Sequence, residues 1–336
     1  MSPRDLIALQ AGCVVDGRYR LIRFLAEGGM GQVWVAEHTS LERLVALKVV
    51  AVPSPVVRAR VLREARLLAA LHHPAVVTVY DCGDLDRQYR AFDGGGQPLR
   101  GAYIAMELAS EETLEQHLAA RGPLPAKDAV QLLIPVLDGL AVAHRQGIIH
   151  RDLKPSNVVA RRASTGALED AKLLDFGIAH VERAAPSTLT AVGGVIGTPQ
   201  YMAPEQIAGG VIGPHTDVWG FALTLLELVT GKPVWDAPEP SSVMARILGV
   251  PPTRPDPSRV DASLWAILER AIAKSREERI GSVVELRERL VRWSAASPSV
   301  VNTQPSPRAS ALDALDTTDD APPSLDELIR KRFQDN

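Results

Sequence analysis

The 336-residue sequence predicts an α+β protein, because strand-like segments dominate its N-terminal part and helical patterns dominate the remainder. The strand signals are short runs rich in apolar and β-branched residues, and they fall at 19–34, 45–50, 76–82 and 103–109. One helical pattern, at 56–71, interrupts them. Beyond residue 109, apolar residues recur at helical spacing, most clearly over 126–146, 264–273 and 283–293.

Composition narrows the classes of function. With 46% hydrophobic and 23% charged residues, the chain can bury an ordinary globular core. Its net charge of −3 argues against general affinity for nucleic acid or membrane surfaces. No signal-peptide pattern and no apolar run of about 18 residues is present, so no transmembrane segment is expected. Cys13 and Cys82 are too few for a disulfide framework and are expected as unpaired thiols in a reducing cytoplasm.

The stretch 150–157, which reads H-R-D-L-K-P-S-N, combines groups suited to phosphoryl transfer. Asp152 can orient a hydroxyl and accept its proton, and Lys154 can offset the charge of a moving phosphoryl group. Asn157 can hold a magnesium ion through its amide oxygen. The alternative is a turn rich in Asp and Asn before a strand.

This stretch resembles the catalytic loop H-R-D-x-x-x-x-N of the bacterial eukaryotic-like (Hanks-type) serine/threonine protein kinases. The resemblance extends over about 19–293. It implies a bilobed fold, with a small antiparallel β-rich N-lobe and one regulatory helix over about 19–107, and a larger, mainly helical C-lobe over about 110–294. It also implies transfer of the γ-phosphoryl group of ATP, with Mg²⁺ or Mn²⁺, to Ser or Thr of protein substrates.

A glycine-rich segment at 25–33 separates two strand patterns, and glycines there let backbone N–H groups approach phosphates. Ala26 stands where the family pattern has its first glycine. By itself the segment also fits any tight hairpin. By the resemblance, the ATP-binding positions are Leu25, Ala26, Glu27, Gly28, Gly29, Met30, Gly31, Gln32, Val33, Ala46, Lys48, Met106, Glu107 and Ala109.

Lys48 lies within an apolar strand pattern, where a buried ammonium group needs partners. The resemblance supplies the phosphates of ATP and a carboxylate from the next helix. Glu64 is the only acid on that helix, so we expect it to pair with Lys48 as part of the catalytic set with Asp152 and Lys154. The alternative is an exposed glutamate on a basic helix.

The tripeptide D-F-G begins at Asp175, which the resemblance makes the second metal ligand beside Asn157. The next segment, 178–200, is the activation segment by position. We expect regulatory autophosphorylation at Thr188 and Thr190, with Arg151 as the partner of a loop phosphate. Thr198 is expected to hydrogen-bond near the catalytic loop.

Three further residues are expected to be structural. Glu205 and Arg279 would form a buried ion pair, and Asp217 would bind the backbone of the H-R-D segment. Asp217 also fits a plain N-terminal acid of a helix, and both roles are compatible. His144 is expected as a packed helix residue, and Pro135 as a local kink.

The ends of the chain differ from its centre. Residues 1–18 suggest a leader and 85–100 a long inserted loop, while 295–323 have the composition of a disordered linker. Residues 324–336 carry a capping box and one apolar face, which favours a short helix that docks on the kinase or a partner, against a frayed tail. Self-association for autophosphorylation is expected; a scaffold pseudokinase and a small-molecule kinase are the alternatives.

Overall fold

A computed structural model of the protein describes residues 9–28, 31–52, 54–85, 101–109, 112–176 and 199–296. The chain starts with a six-stranded antiparallel sheet in the order β1-β2-β3-β4-β6-β5. Its strands are β1 (Val14–Val15), β2 (Tyr19–Gly28), β3 (Gly31–His38), β4 (Arg43–Ala51), β5 (Val79–Leu85) and β6 (Gly101–Met106). One helix, α1 (Pro55–Ala69), packs against β5 and β6.

The second part of the chain is mainly helical. A small antiparallel sheet contains β7 (Glu112–Thr113), β8 (Val158–Arg162) and β9 (Leu168–Leu173). The helices are α2 (Leu114–Arg121), α3 (Ala126–Arg145), α4 (Pro204–Ala208), α5 (Pro214–Thr230), α6 (Pro240–Gly249), α7 (Ala262–Ala271) and α8 (Val283–Ala296). The predicted α+β class, with a β-rich N-lobe and a helical C-lobe, is confirmed.

Local sequence explains several helix boundaries. The Ser54 side chain caps α1, whose first residue is Pro55. Thr113 caps α2 and forms a capping box with Gln116. Pro135 lies inside α3, which continues through it without a break. Every helix among the described residues is too short or too polar to span a bilayer.

The core of the C-lobe surrounds α5, which is buried along almost its whole length. It packs against α3, α7 and α8, so apolar residues surround it on several sides. The rings of Trp219, on this helix, and Trp235 stack with centroids 5.4 Å apart. This helix is therefore a fixed platform for the side chain at its first turn, Asp217.

The predicted leader is wrong for residues 9–18, which belong to the small lobe. Val14 and Val15 form β1 against β2, and Leu9 and Val15 are buried in an apolar cluster on the sheet face that also contains Tyr19, Leu47 and Tyr103. Alternating strand patterning could not reveal this, because the segment contributes only two strand residues and its burial depends on the sheet it covers.

Two other predicted boundaries shift. The strand expected at 76–82 begins at Val79, because Val76 instead makes an isolated parallel bridge to Leu173 in the C-lobe. The last helix continues to Ala296, past the expected domain end at 294. Residues 86–100, the remaining linker and the C-terminal segment 324–336 lie outside the described residues.

Candidate active site

The loop after α3 is held in place by the carboxylate of Asp217, which is 1% exposed. The backbone N–H groups of His150 and Arg151 donate to its two oxygens, each at 2.8 Å. His144 Nε2 lies 2.7 Å from Asp217 Oδ2. These contacts support a left-handed backbone at Arg151, with φ of +67°, which a non-glycine residue rarely adopts.

Asp152, Lys154 and Asn157 form one hydrogen-bonded group. Lys154 Nζ lies 2.9 Å from Asp152 Oδ2. The amide nitrogen of Asn157 donates to the backbone oxygen of Asp152 at 2.8 Å and to its Oδ2 at 3.0 Å. Because its nitrogen is used in this way, the amide oxygen of Asn157 is the atom suited to a metal ion.

Asp175 lies just beyond β9 and beside this group. Lys48 Nζ lies 3.0 Å from Asp175 Oδ2. The Leu174 N–H donates to the Asn157 carbonyl at 2.8 Å, so the two expected metal ligands are connected through the backbone. Phe176 packs on the His150 ring, with centroids 4.7 Å apart. The structure therefore places the Lys48–Asp175 pair next to the loop that carries Asp152 and Asn157.

The donor set of Asn157 and Asp175 fits magnesium. An amide oxygen and a carboxylate are hard oxygen ligands, and Mg²⁺ sites commonly use one or two carboxylates and take their other ligands from water and substrate phosphates. Among the described residues, no group of three or more His, Cys, Asp or Glu side chains could hold a metal by itself. The site is consistent with an ion that arrives with a phosphate ligand.

The expected Lys48–Glu64 pair is not formed, which corrects the sequence prediction. Glu64 Oε1 instead lies 3.5 Å from Arg151 Nη1, while Lys48 pairs with Asp175. Burial raises the pKa of Glu64, and the charge of Arg151 opposes this only in part. Glu64 is the only acid on α1, but its position in the sequence cannot tell whether Lys48 or Arg151 is its partner.

The glycine-rich positions lie at the tip of the β2–β3 hairpin, where Gly28 pairs with Gly31. A Cβ at Gly31 would come within 2.0 Å of the Val49 carbonyl oxygen. The close approach of β3 to β4 therefore requires glycine at this position, whether or not the hairpin tip binds a ligand. Leu25, Ala26 and Glu27 are exposed on β2, and the side chain of Gln32 accepts a hydrogen bond from Trp34. Gly29 and Met30 lie outside the described residues.

The residues predicted to surround adenine include positions on β3, β4 and β6. Ala46 pairs with Met106, and Val33 pairs with Lys48 on the neighbouring strands. Met106 is buried and lines a cavity of about 20 Å³ together with residues that include Val79, Leu173 and Phe176. The segment after it places the backbone of Glu107 and Ala109 at the exit of β6, which is where the expected hinge contacts belong.

The expected ion pair in the C-lobe is present. Arg279 Nη1 lies 2.8 Å from Glu205 Oε1, and the arginine side chain is fully buried. Burial opposes ionisation of Glu205, but the hydrogen bond and charge of Arg279 outweigh it, so the pKa of Glu205 lies below its usual range. Thr188, Thr190 and Thr198 lie outside the described residues.

Two residues of the site were not recognised from sequence. His144 contacts Asp217, and Gln206 donates its amide N–H to the Arg151 carbonyl at 2.8 Å. Gln206 directly follows Glu205, so its position beside a residue that the resemblance singles out could have identified it. The sequence carried no such signal for His144, because the spacing of a polar helix residue is the same whether its side chain only packs or also positions another group.

The chain is similar to known proteins over most of its length. The family model for the protein kinase domain matches residues 19–290. The chain belongs to the protein kinase family. This kinase domain is 36% identical over 291 residues to the serine/threonine-protein kinase pkn2 of Myxococcus xanthus, covering 84% of this chain and 33% of that one. It is 35% identical over 289 residues to the serine/threonine-protein kinase PknB of Mycobacterium tuberculosis, covering 84% and 44%.

A third relative is the probable serine/threonine-protein kinase PknB of Corynebacterium glutamicum, 33% identical over 290 residues, with 84% of this chain and 43% of that one covered. The chain thus spans less than half the length of these curated relatives. The resemblance to Hanks-type kinases drawn from the H-R-D segment is confirmed.

Proposed function

We propose that the protein is a serine/threonine protein kinase that transfers the γ-phosphoryl group of ATP to a hydroxyl of a protein substrate. The observation that carries this proposal is the group of Asp152, Lys154 and Asn157, held by Asp217 and adjacent to the Lys48–Asp175 pair. The named activity of relatives that match most of this chain supports the same reaction.

Each residue of the site has its own part in the chemistry. The Asp152 carboxylate accepts a hydrogen bond from the substrate hydroxyl and takes its proton, while Lys154 offsets charge beside it. Asn157 and Asp175 would hold Mg²⁺, which when bound neutralises phosphate charge. Lys48 would bind nucleotide phosphates, with Asp175 as the carboxylate beside it. Catalysis then comes from positioning and fixed charge.

The test compares the wild-type protein with Asp152→Asn, using labelled ATP and Mg²⁺. Phosphate transfer is measured to the protein itself and to a generic basic protein. We expect Asp152→Asn to lose roughly 10²–10⁴-fold in rate, because a general base is removed from the nucleophile. Nucleotide binding without any transfer by the wild type would favour the pseudokinase scaffold; transfer only to small hydroxyl compounds would favour a small-molecule kinase.

Regulation by phosphorylation of Thr188 and Thr190 is part of the proposal. Arg151, the expected partner of a loop phosphate, contacts Glu64, a carboxylate whose burial raises its pKa. A phosphate carries more charge and would compete for this arginine, which would free Glu64 to approach Lys48. After incubation with ATP, mass spectrometry should find phosphate on peptide 184–200, and replacement of both threonines by alanine should lower activity. An unphosphorylated peptide would contradict this.

Thr198 would select Ser and Thr substrates through a hydrogen bond near Asp152. The protein would act in the cytoplasm on protein substrates, with self-association during autophosphorylation. The segment 324–336 would dock as a short helix on the kinase or a partner. Deletion of 323–336 tests the last point, because unchanged activity and unchanged partner binding would exclude docking.

A further inference from the structure

The hinge leaves β6 at Glu107, and a side-chain ion pair ties this end of it to the C-lobe. One Glu107 carboxylate oxygen pairs with Lys172 of β9, and the other accepts from the Thr78 N–H at 3.3 Å. The Glu107 N–H also donates to the Thr78 carbonyl at 2.8 Å. Glu107 therefore connects the hinge both to the approach to β5 and to the β8–β9 hairpin.

A second ion pair ties the far end of the hinge to the same hairpin. Glu112, in β7, pairs with Arg162 at the end of β8, and Arg121 lies 2.9 Å from its other oxygen. Burial opposes ionisation of Glu112, but its hydrogen bond to Arg162 and the nearby cationic charge outweigh it, so its pKa lies below the usual range. His117 Nδ1 lies 2.9 Å from Arg162 Nη2, which gives the guanidinium a second contact.

The hairpin that receives both pairs also carries the metal-ligand candidates. Asn157 directly precedes β8, and Asp175 comes two residues after the end of β9. The Leu174 N–H bonded to the Asn157 carbonyl closes the hairpin at that end. Any shift of the hinge relative to β8 and β9 would therefore change the separation between the hinge backbone and the two metal ligands.

We propose that the Glu107–Lys172 and Glu112–Arg162 ion pairs are positioning contacts that pin both ends of the hinge to the β8–β9 hairpin and so set the adenine site against the metal site. This inference rests on the proposed function, because it takes ATP as the nucleotide that binds. The four side chains act through the hinge backbone. Each pair is partly buried, with side-chain exposures of 25% and 27% for the first and 28% and 23% for the second, so solvent screens it less than a surface pair.

The variants that test this are Lys172→Met, Glu107→Gln, their double mutant and the swap Glu107→Lys with Lys172→Glu. The matched control is Arg161→Gln, which removes an exposed ion pair to Asp170 within the same hairpin. We measure kcat, the KM for ATP and the KM for GTP, with thermal melting of each variant to show that it is folded. GTP presents different groups to the hinge, so nucleotide preference reports hinge position.

We expect Lys172→Met to raise the KM for ATP about tenfold, with kcat within twofold, as one charge-assisted contact is lost. The preference for ATP over GTP should fall, the double mutant should be no worse than either single one, and the swap should recover part of the loss. An unchanged KM in Lys172→Met, an equal rise in Arg161→Gln, or additive single mutations would overturn the proposal. If the wild type transfers no phosphate, the proposed function fails separately, and the Kd of ADP in the same variants still tests the hinge.

Discussion

At the scale of single residues, Asp217 is the group on which the catalytic loop depends. It accepts two backbone N–H bonds and contacts His144, all within 2.8 Å, and it is buried on α5. A buried carboxylate that accepts several hydrogen bonds holds the groups that donate to it in place. His144 therefore contributes to loop geometry although it lies on a different helix from Asp217.

We predict that His144→Leu lowers kcat by roughly tenfold and leaves the KM for ATP nearly unchanged, because one hydrogen bond to a charged group is worth about 1.5–3 kcal/mol. Steady-state kinetics with a peptide substrate measure this. His72→Ala is the control, since His72 is exposed at the end of α1. Equal effects of the two substitutions would show that His144 does not position the loop.

A second residue-scale prediction concerns the buried Arg279. Arg279→Met should lower the free energy of unfolding by about 3–5 kcal/mol, because the partly buried carboxylate of Glu205 would lose the cation that offsets its burial. Denaturant unfolding measures this. Arg289→Met removes a half-exposed i,i+4 pair with Glu285 and should cost less than about 0.5 kcal/mol. Comparable losses in both variants would contradict the assignment of a structural role to the buried pair.

At the scale of elements, β1 forms one edge of the N-lobe sheet and adds a residue to the apolar cluster on its face. Val15 points into the apolar cluster with Tyr19 and Tyr103, whereas Val14 is 45% exposed on the same short strand. Hydrogen bonds add to this packing: the Tyr19 hydroxyl donates to Asp81, and the Tyr103 hydroxyl donates to Asp16. The small lobe is therefore larger than strand patterning alone predicts.

We predict that Val15→Asp lowers the free energy of unfolding by more than about 3 kcal/mol, because it places an unpaired carboxylate in an apolar cluster. Val14→Asp, on the opposite face of the same strand, should change it by less than about 0.5 kcal/mol. Thermal or urea unfolding distinguishes the two. A similar stability for both variants would mean that residues 9–18 are the dispensable leader that the sequence suggested.

At the scale of the whole molecule, the buried His215 gives the stability a dependence on pH. Burial lowers the pKa of His215, which is 3% exposed, against the opposing charge of Glu205. The unfolded chain then binds a proton near pH 6.5 that the folded protein resists, so this contribution is complete above that pH and is lost as the pH falls. Glu64 and Glu227, whose pKa values burial raises, act in the opposite direction.

We predict that His215→Asn flattens the fall in unfolding free energy between pH 7 and pH 5, because the variant has no proton to bind in the unfolded state. Urea titrations across this range measure the unfolding free energy of both proteins. In the difference between wild type and variant, the contributions of the other titrating groups cancel. The folded state should lose about 1.4 kcal/mol per unit by which the pKa of His215 is depressed. Parallel pH profiles for wild type and variant would contradict the prediction.

Much of the candidate site could be predicted because several of its residues lie close together in short segments of the sequence. Asp152, Lys154 and Asn157 lie within six residues, and their mutual contacts come from one turn. The partner of Glu64 could not be predicted, since it depends on how α1 sits against both lobes. The same is true of β1, which gains its burial from strands elsewhere in the chain.

The sequence by itself determined the fold class and the family, and it predicted the reacting groups, because loop chemistry and alternating patterns are local properties. Only the tertiary structure decided that Glu64 contacts Arg151, that His144 supports Asp217, and that the hinge is tied to β8 and β9 by two ion pairs. Each of these contacts joins residues far apart in the chain. The packing of whole helices and strands decides which charged side chains come into contact, so a local sequence pattern cannot predict these pairs.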